Sequence, residues 1–309
     1  MKVIYLSGAF KLRLKNTCAA IGIFDGMHRG HQYLIKQMLA TARRRRLKPV
    51  VITFFPHPAH VLRPDIPLGY LSSLQERFES IRRLGVDVCL VVRFTWSFAR
   101  IAPEKYIADT LVKKLGLKAV FVGEDFRFGK NRSGDAALFQ RLSSQYGFEM
   151  HAVPALKEGG KPISSTRIRQ LMGAGKLKEA KQLLGREVSV CGVVVKGSKR
   201  GRTLGFPTAN IDCEQDIFPP QGVYVVRVFI GAKTYSGLAN IGTRPSFEKK
   251  GSPLFLEVHI LDFSKDIYDR RLKVEFLKKI RNEKKFASSL DLILQIRKDE
   301  ALARKYFRS

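Results

Sequence analysis

GIFDGMHRGH, residues 22–31, decides how the first half of this 309-residue chain is read. An apolar run over residues 18–24 reads as a buried strand that breaks at Asp25-Gly26. A helical pattern then opens at His31, with Leu34, Ile35, Met38, Leu39 and Ala42 on one face. Strand, glycine-bearing turn and helix N-terminus in that order make an anion site, because unpaired backbone N–H groups and the positive end of the helix dipole converge there. A nucleoside triphosphate is the expected anion, with Gly22, Phe24, Asp25, Gly26 and Gly30 around it. His28 and His31 can donate to phosphate oxygens as charge builds on an α-phosphate under attack, which is adenylyl-transfer chemistry. The plainer readings are a surface histidine pair or a fragment of a metal site. Zinc is disfavoured, since no cysteine lies near enough in sequence to complete it.

Outward from that stretch, strand-like runs at residues 3–6, 19–24, 50–55, 86–92, 119–122 and 148–153 are mostly separated by helical segments. One helix starts at Ser72 or Ser73, carries Leu74, Phe78, Ile81 and Leu84 on one face and stops at Gly85; another runs from Pro103 to Gly116. The alternation predicts an α/β Rossmann-like domain with a parallel sheet, its ligands bound beyond the carboxyl ends of the strands. Two further stretches fall on loops of this half. In GEDFRFG, residues 123–129, Asp125, Phe126 and Phe128 could hold a planar polar ring, or the phenylalanines could simply anchor the loop. In ISSTRIR, residues 163–169, Ser164, Ser165 and Thr166 with Arg167 and Arg169 offer a second phosphate grip, or the hydroxyls could only cap a helix.

Composition shifts after a helix over residues 176–184, and the domain boundary is expected at Gly185-Arg186, giving domains 1–185 and 186–309. Strands at 188–195, 223–230, 234–241, 254–263 and 272–277 follow without crossover helices, then a closing helix from about Ser288 to Tyr306. This predicts a small antiparallel β-barrel. Inside it, Gly197, Lys199, Arg202 and Gly205 can bring amides and cations near phosphates, but their spacing is not that of a Walker A loop. Phe206 and Pro207 lead to Thr208 and Asn210, which share one face of an extended segment and could ligate Mg²⁺; a turn of small polar residues is the alternative. Glu257 is the one carboxylate in the apolar run 254–260, and is either a general base or an outward-facing surface residue.

Lys plus Arg number 56 against 27 Asp plus Glu, a net charge of +29. That suits polyphosphate ligands; a nucleic-acid partner is disfavoured, because the basic residues are spread along the chain and the densest run, 43–46, complements a helix C-terminus. Four scattered cysteines without CxxC spacing, no secretory h-region and no membrane-length apolar run predict a cytoplasmic protein with no membrane partner. A monomer or weak oligomer is expected.

Taken together, the chain resembles the bifunctional bacterial riboflavin kinase/FMN adenylyltransferases, or prokaryotic FAD synthetases. The resemblance rests on GIFDGMHRGH, TFFPHP (53–58), GEDFRFG and ISSTRIR in the first half, and on GRTLGFPTAN (201–210), GVY (222–224), NIGTRPSF (240–247), EVHILDF and RNEKKF in the second. It implies two reactions, both with Mg²⁺: ATP phosphorylates riboflavin to FMN on the C-terminal domain, and the N-terminal domain joins FMN to the AMP of a second ATP, giving FAD and pyrophosphate. Glu257 would be the kinase base, Thr208 and Asn210 would hold Mg²⁺, and the turn from Gly197 to Gly205 would close over the nucleotide. His28 and His31 would stabilise the α-phosphate, Ser164 to Arg167 would hold the outgoing phosphates, and Asp125, Phe126 and Phe128 would meet FMN. Ser246 stands where the family often has Thr, which keeps the hydroxyl.

Overall fold

The computed structural model describes residues 1–6, 13–65, 68–197, 200–243 and 254–308, and gives the backbone alone at 200 and 202. Lys199 and Ser246, with the side chain of Arg202, therefore lie outside the described residues. The chain falls into two compact units, Met1–Leu68 with Leu74–Ser164, and Gly69–Ser73 with Ser165–Ser309.

In the first unit, strands β1 (Lys2–Leu6), β2 (Thr17–Ile21), β3 (Lys48–Phe55), β4 (Val88–Arg93), β5 (Leu117–Gly123) and β6 (Glu149–Val153) form one sheet in the order β1-β4-β3-β2-β5-β6, every pair parallel. Successive residues of each strand face opposite sides. Cys18, Ala20, Val51 and Cys89 pack with Leu34, Ile35, Met38 and Ala42 on one side, and Ala19, Ile21, Ile52 and Leu90 pack with Ile107, Leu111 and Phe139 on the other. Both faces are covered, which is why these strands read as unbroken apolar runs. Burying Leu34, Ile35 and Met38 stabilises the docked helix α1 (Arg29–Arg44) by about 1.5–3 kcal/mol per side chain.

Two expectations shift here. The strand expected through Phe24 ends at Ile21, because Phe24 (φ 55), Gly26 (φ 78) and Met27 (φ 43) turn through the left-handed region. Such a conformation costs about 1–3 kcal/mol at each non-glycine residue, offset here by burying Phe24 and Met27 almost completely. The helix begins two residues before His31, because extended His28 caps it. The segment expected as one helix from Pro103 to Gly116 is Pro103–Lys105 followed by a wider winding over Tyr106–Lys114, where the Leu115 N–H donates to the Thr110 carbonyl five residues back.

From the adjacent pair β2 and β5 the chain runs off in opposite directions, to β3 on one side and β6 on the other. That makes β2/β5 the switch point, the crevice where open α/β sheets bind ligands. Beyond its carboxyl ends lie the 22–31 turn and the 123–129 loop. A small hairpin, β7 (Lys157–Glu158) with β8 (Lys161–Pro162), completes this unit.

In the second unit, β9 (Val188–Val195), β10 (Ala209–Cys213), β11 (Gly222–Ile230), β12 (Lys233–Thr243), β13 (Leu254–Ile260) and β14 (Arg271–Arg281) close an antiparallel barrel in the order β10-β13-β12-β11-β14-β9. β10 is the strand the sequence reading omits. It is short, and its outward positions, Asn210 and Asp212, carry the polar residues that made it look like a turn. Helices Ser165–Gly173 and Leu177–Leu184 group with this unit. The closing helix, Ser289–Arg308, docks through Ala303 and Phe307 over Val223, Val225 and Leu238, and its buried Asp299 pairs with Arg281 at 2.8 Å.

Candidate functional site

The first candidate site grows from the cap of α1. His28 Nδ1 accepts from the His31 N–H at 3.3 Å, which in a neutral ring places the proton on Nε2. The two imidazoles stack with centroids 3.6 Å apart, and His31 meets Phe24 edge-on at 5.3 Å. Burial holds the His31 imidazole well below its ordinary range, and the neighbouring His28 and Arg77 charges push the same way. His31 is therefore neutral at physiological pH, and its buried Nδ1 has no partner among the described residues. Gly30 is needed for space: a Cβ there would sit 3.2 Å from the His28 ring and 3.6 Å from the Ile163 carbonyl oxygen.

Beneath this turn lies a residue the sequence reading missed. Arg77, 1 % exposed, donates to Thr53 Oγ1 at 3.3 Å and to the Phe54 carbonyl at 3.4 Å, and its Nη2 is 3.8 Å from Asp25 Oδ1. Thr53 in turn donates to the Ile23 carbonyl at 2.8 Å. A buried cation thus braces the entry to the left-handed turn, at Asp25 directly and at Ile23 through Thr53. Its signal was a charge on the same face as Leu74, Phe78 and Ile81.

Arg29 pairs with Glu158 of the β7–β8 hairpin at 2.7 Å, so the segment ending in Ile163-Ser164 lies against the start of α1. Ser165, Thr166 and Arg167 form the first turn of Ser165–Gly173, which groups with the second unit. In the 123–129 loop Asp125 is exposed. Phe126 and Phe128 are half-buried and stacked at 5.4 Å, with Phe128 4.7 Å from Phe139. Both rings anchor the loop to the core and remain partly exposed.

The second candidate site is on the barrel wall. Glu257 on β13 is directly opposite Asn210 of β10 and, on its other side, Asn240 of β12. Residues in register point to the same face, so carboxylate and two carboxamides form one row, outside the inward-facing Leu256 and Val258. Asn240, which the sequence reading quoted without a role, has a buried Oδ1 that lacks a partner among the described residues. Two described glycines of the glycine-rich stretch approach Asn210 and Thr208 closely. A Cβ on Gly197 would fall 2.1 Å from Asn210 Nδ2, and one on Gly201 would fall 3.1 Å from Thr208 Oγ1. Phe206 is buried, Pro207 and Thr208 are exposed, and Gly205 turns at φ 86. Beside them a cavity of about 460 Å³ is lined by Pro207, Thr208, Val258, Phe263, Asp266 and Tyr268 among others.

Two family models divide the chain between them: FAD synthetase matches residues 11–167 and riboflavin kinase matches residues 184–307. The bifunctional riboflavin kinase/FMN adenylyltransferase of Escherichia coli K12 is 43 % identical over 288 residues, 93 % of this chain and 91 % of the relative. The chain belongs to the bifunctional riboflavin kinase/FMN adenylyltransferase family. The Bacillus subtilis member is 38 % identical over 314 residues, covering 99 % of this chain and 98 % of its own. A crystal structure described as a macrolide-efflux protein from Streptococcus pneumoniae superposes with a TM-score of 0.85 at 34 % identity, over 98 % of both chains. Among the described residues no helix is long and apolar enough to cross a membrane. As in the family's two named activities, the sheet unit carries the FAD synthetase match and the barrel carries the riboflavin kinase match.

Proposed function

We propose that the barrel transfers the γ-phosphoryl of ATP to the ribityl 5′-hydroxyl of riboflavin, and that the sheet unit then joins the resulting FMN to the AMP of a second ATP, releasing pyrophosphate. The observation that carries this reading is the row of Asn210, Glu257 and Asn240 in a segment matching riboflavin kinases, on the same chain as a capped anion turn in a segment matching FAD synthetases.

On the barrel, Glu257 accepts the proton of the attacking hydroxyl. Thr208 Oγ1 and Asn210 Oδ1 would hold Mg²⁺ together with the nucleotide phosphates, and the turn from Gly197 to Gly205 would cover them. The donor set fits the ion: Mg²⁺ takes oxygen ligands and binds through a few side chains plus substrate phosphates. The Asn240 Oδ1, without a partner among the described residues, offers a further oxygen on the row with Glu257. When bound, Mg²⁺ would supply charge neutralisation at the transferring phosphoryl, and the protein's own task is mainly positioning.

On the sheet unit, the N-terminus of α1 and the His28 Nε2–H stabilise charge on the α-phosphate while the FMN phosphate attacks in line. No covalent enzyme intermediate is needed, since the nucleophile arrives already anionic. Neutral His31 stacks on His28 and sets its orientation. Gly22, Phe24, Asp25 and Gly26 shape the nucleotide pocket, and Asp125, Phe126 and Phe128 receive the flavin. Ser164 holds the outgoing phosphates, with Ser165, Thr166 and Arg167 assigned the same role by resemblance alone. The functional boundary at Gly185-Arg186 is supported by the left-handed helix end at Gly185 (φ 72) and by the start of the riboflavin kinase match at residue 184.

The test is to supply riboflavin, ATP and Mg²⁺ and to separate the flavins by chromatography. FMN should appear first and FAD after it; riboflavin left unconverted would refute the reading.

A further inference from the structure

His259 projects from β13 two residues beyond Glu257 and so on the same face. Its Nδ1 is 2.8 Å from the Pro207 carbonyl oxygen and its Nε2 is 2.9 Å from Glu300 Oε1, while its ring meets Phe206 edge-on at 5.9 Å. One imidazole therefore touches three parts of the second unit: the strand carrying Glu257, the Phe206-Pro207 step just before Thr208, and the closing helix. We propose that His259 is a positioning residue of the phosphorylating site, clamping the Pro207 backbone to Glu300 so that Thr208 is held in register with Asn210 and Glu257. The proposal rests on the barrel being the riboflavin kinase.

The chemistry of the contacts makes the clamp specific to this side chain. A carbonyl and a carboxylate can only accept, so both hydrogen bonds exist together only when both ring nitrogens carry protons. A neutral ring keeps one of them. Glu300 reaches the ring from the closing helix at 2.9 Å, and Arg304 of the same helix grips Asp262, just past the end of β13, at 2.8 Å. The Pro207 carbonyl shares a planar peptide unit with the Thr208 nitrogen, so a shift of that oxygen carries the Thr208 backbone with it.

The experiment compares the full-length chain with His259→Ala, Glu300→Ala and the double variant. FMN formation from riboflavin should lose about tenfold in kcat/KM in each single variant, mainly through a raised KM for ATP, since a charge-assisted hydrogen bond is worth about that factor. The double variant should be no worse than either single one, and adenylylation of supplied FMN should be unchanged. Hydrogen exchange over residues 203–210, measured without turnover, should quicken in His259→Ala. Wild-type kinetics and unchanged exchange in His259→Ala would overturn the clamp, as would losses that add in the double variant. A wild-type chain that makes no FMN, yet shows the exchange change, would refute the kinase reading and leave the clamp standing.

Discussion

Asn210 and Glu257 face each other across two neighbouring antiparallel strands, with Asn240 facing Glu257 from the opposite side. Opposed residues of this kind have Cβ atoms about 4.5–5.5 Å apart. A metal held at Asn210 is then within one side chain of the hydroxyl that Glu257 would deprotonate. Asn210→Ala should slow FMN formation by about 10–100-fold and raise the Mg²⁺ concentration at half-maximal rate. A Mg²⁺ titration of both half-reactions checks this; a parallel change in FAD formation from supplied FMN would argue against it.

Gly197 lies so close to Asn210 that a methyl group there would displace the carboxamide. Gly197→Ala is expected to leave the fold intact and to reduce FMN formation at least tenfold, with the KM for ATP raised. Steady-state kinetics in ATP decide it, since a purely structural glycine would lower the melting temperature without moving that KM.

Arg77 is the buried brace of the adenylylating turn, and removing one partner of a buried pair costs about 3–5 kcal/mol. Arg77→Met should therefore lower the unfolding free energy by about 3 kcal/mol and abolish FAD formation. Urea unfolding followed by fluorescence gives the first number. A variant as stable as the parent would show that Asp25 does not depend on this cation.

His31 gives the protein an acid-sensitive limb. In the unfolded chain its imidazole takes up a proton near the ordinary value of 6.5, whereas the native ring, buried against Phe24 and His28, resists protonation until well below it. The unfolded state thus binds more protons below about pH 6.5, so this contribution to stability is level above that pH and falls as the pH drops further. Urea midpoints between pH 5 and 7.5 should decline less steeply in His31→Gln than in the parent. Identical slopes would contradict the assignment.

The cysteines follow from the same burial. Cys18, Cys89 and Cys213 have their thiols pushed up to about 12 by burial, and all four cysteines are free. A thiol-disulfide reagent at pH 8 should label the native chain slowly and label four thiols after denaturation.

Much of this was legible in the sequence because the evidence was local. Apolar runs of strand length, helix ends at Gly85 and Gly185, and the order strand, turn, helix around His28 each depend on neighbouring residues. What escaped depends on contacts made by folding. Arg77 is 52 positions from Asp25, and their pairing depends on the fold. Asn240 acquires its place only when β12 pairs with β13, and β10 was obscured by its polar outer face. The charge is a similar case. The basic residues are scattered in sequence, yet in a parallel sheet all strands begin at one edge and the preceding helices end there. Exposed Lys2, Arg44, Lys48, Arg82, Lys113 and Lys118 gather at that edge, opposite the switch point.

The account stands on two separable sites in one polypeptide, and the direct measurement is to assay the half-reactions separately in Glu257→Ala and His28→Ala. Glu257→Ala should lose FMN formation by about 10²–10⁴-fold while converting supplied FMN to FAD at the parental rate. His28→Ala should keep making FMN and lose about 10²–10³-fold in its conversion to FAD. A folded variant in which either single change removes both activities, or neither, would contradict the account.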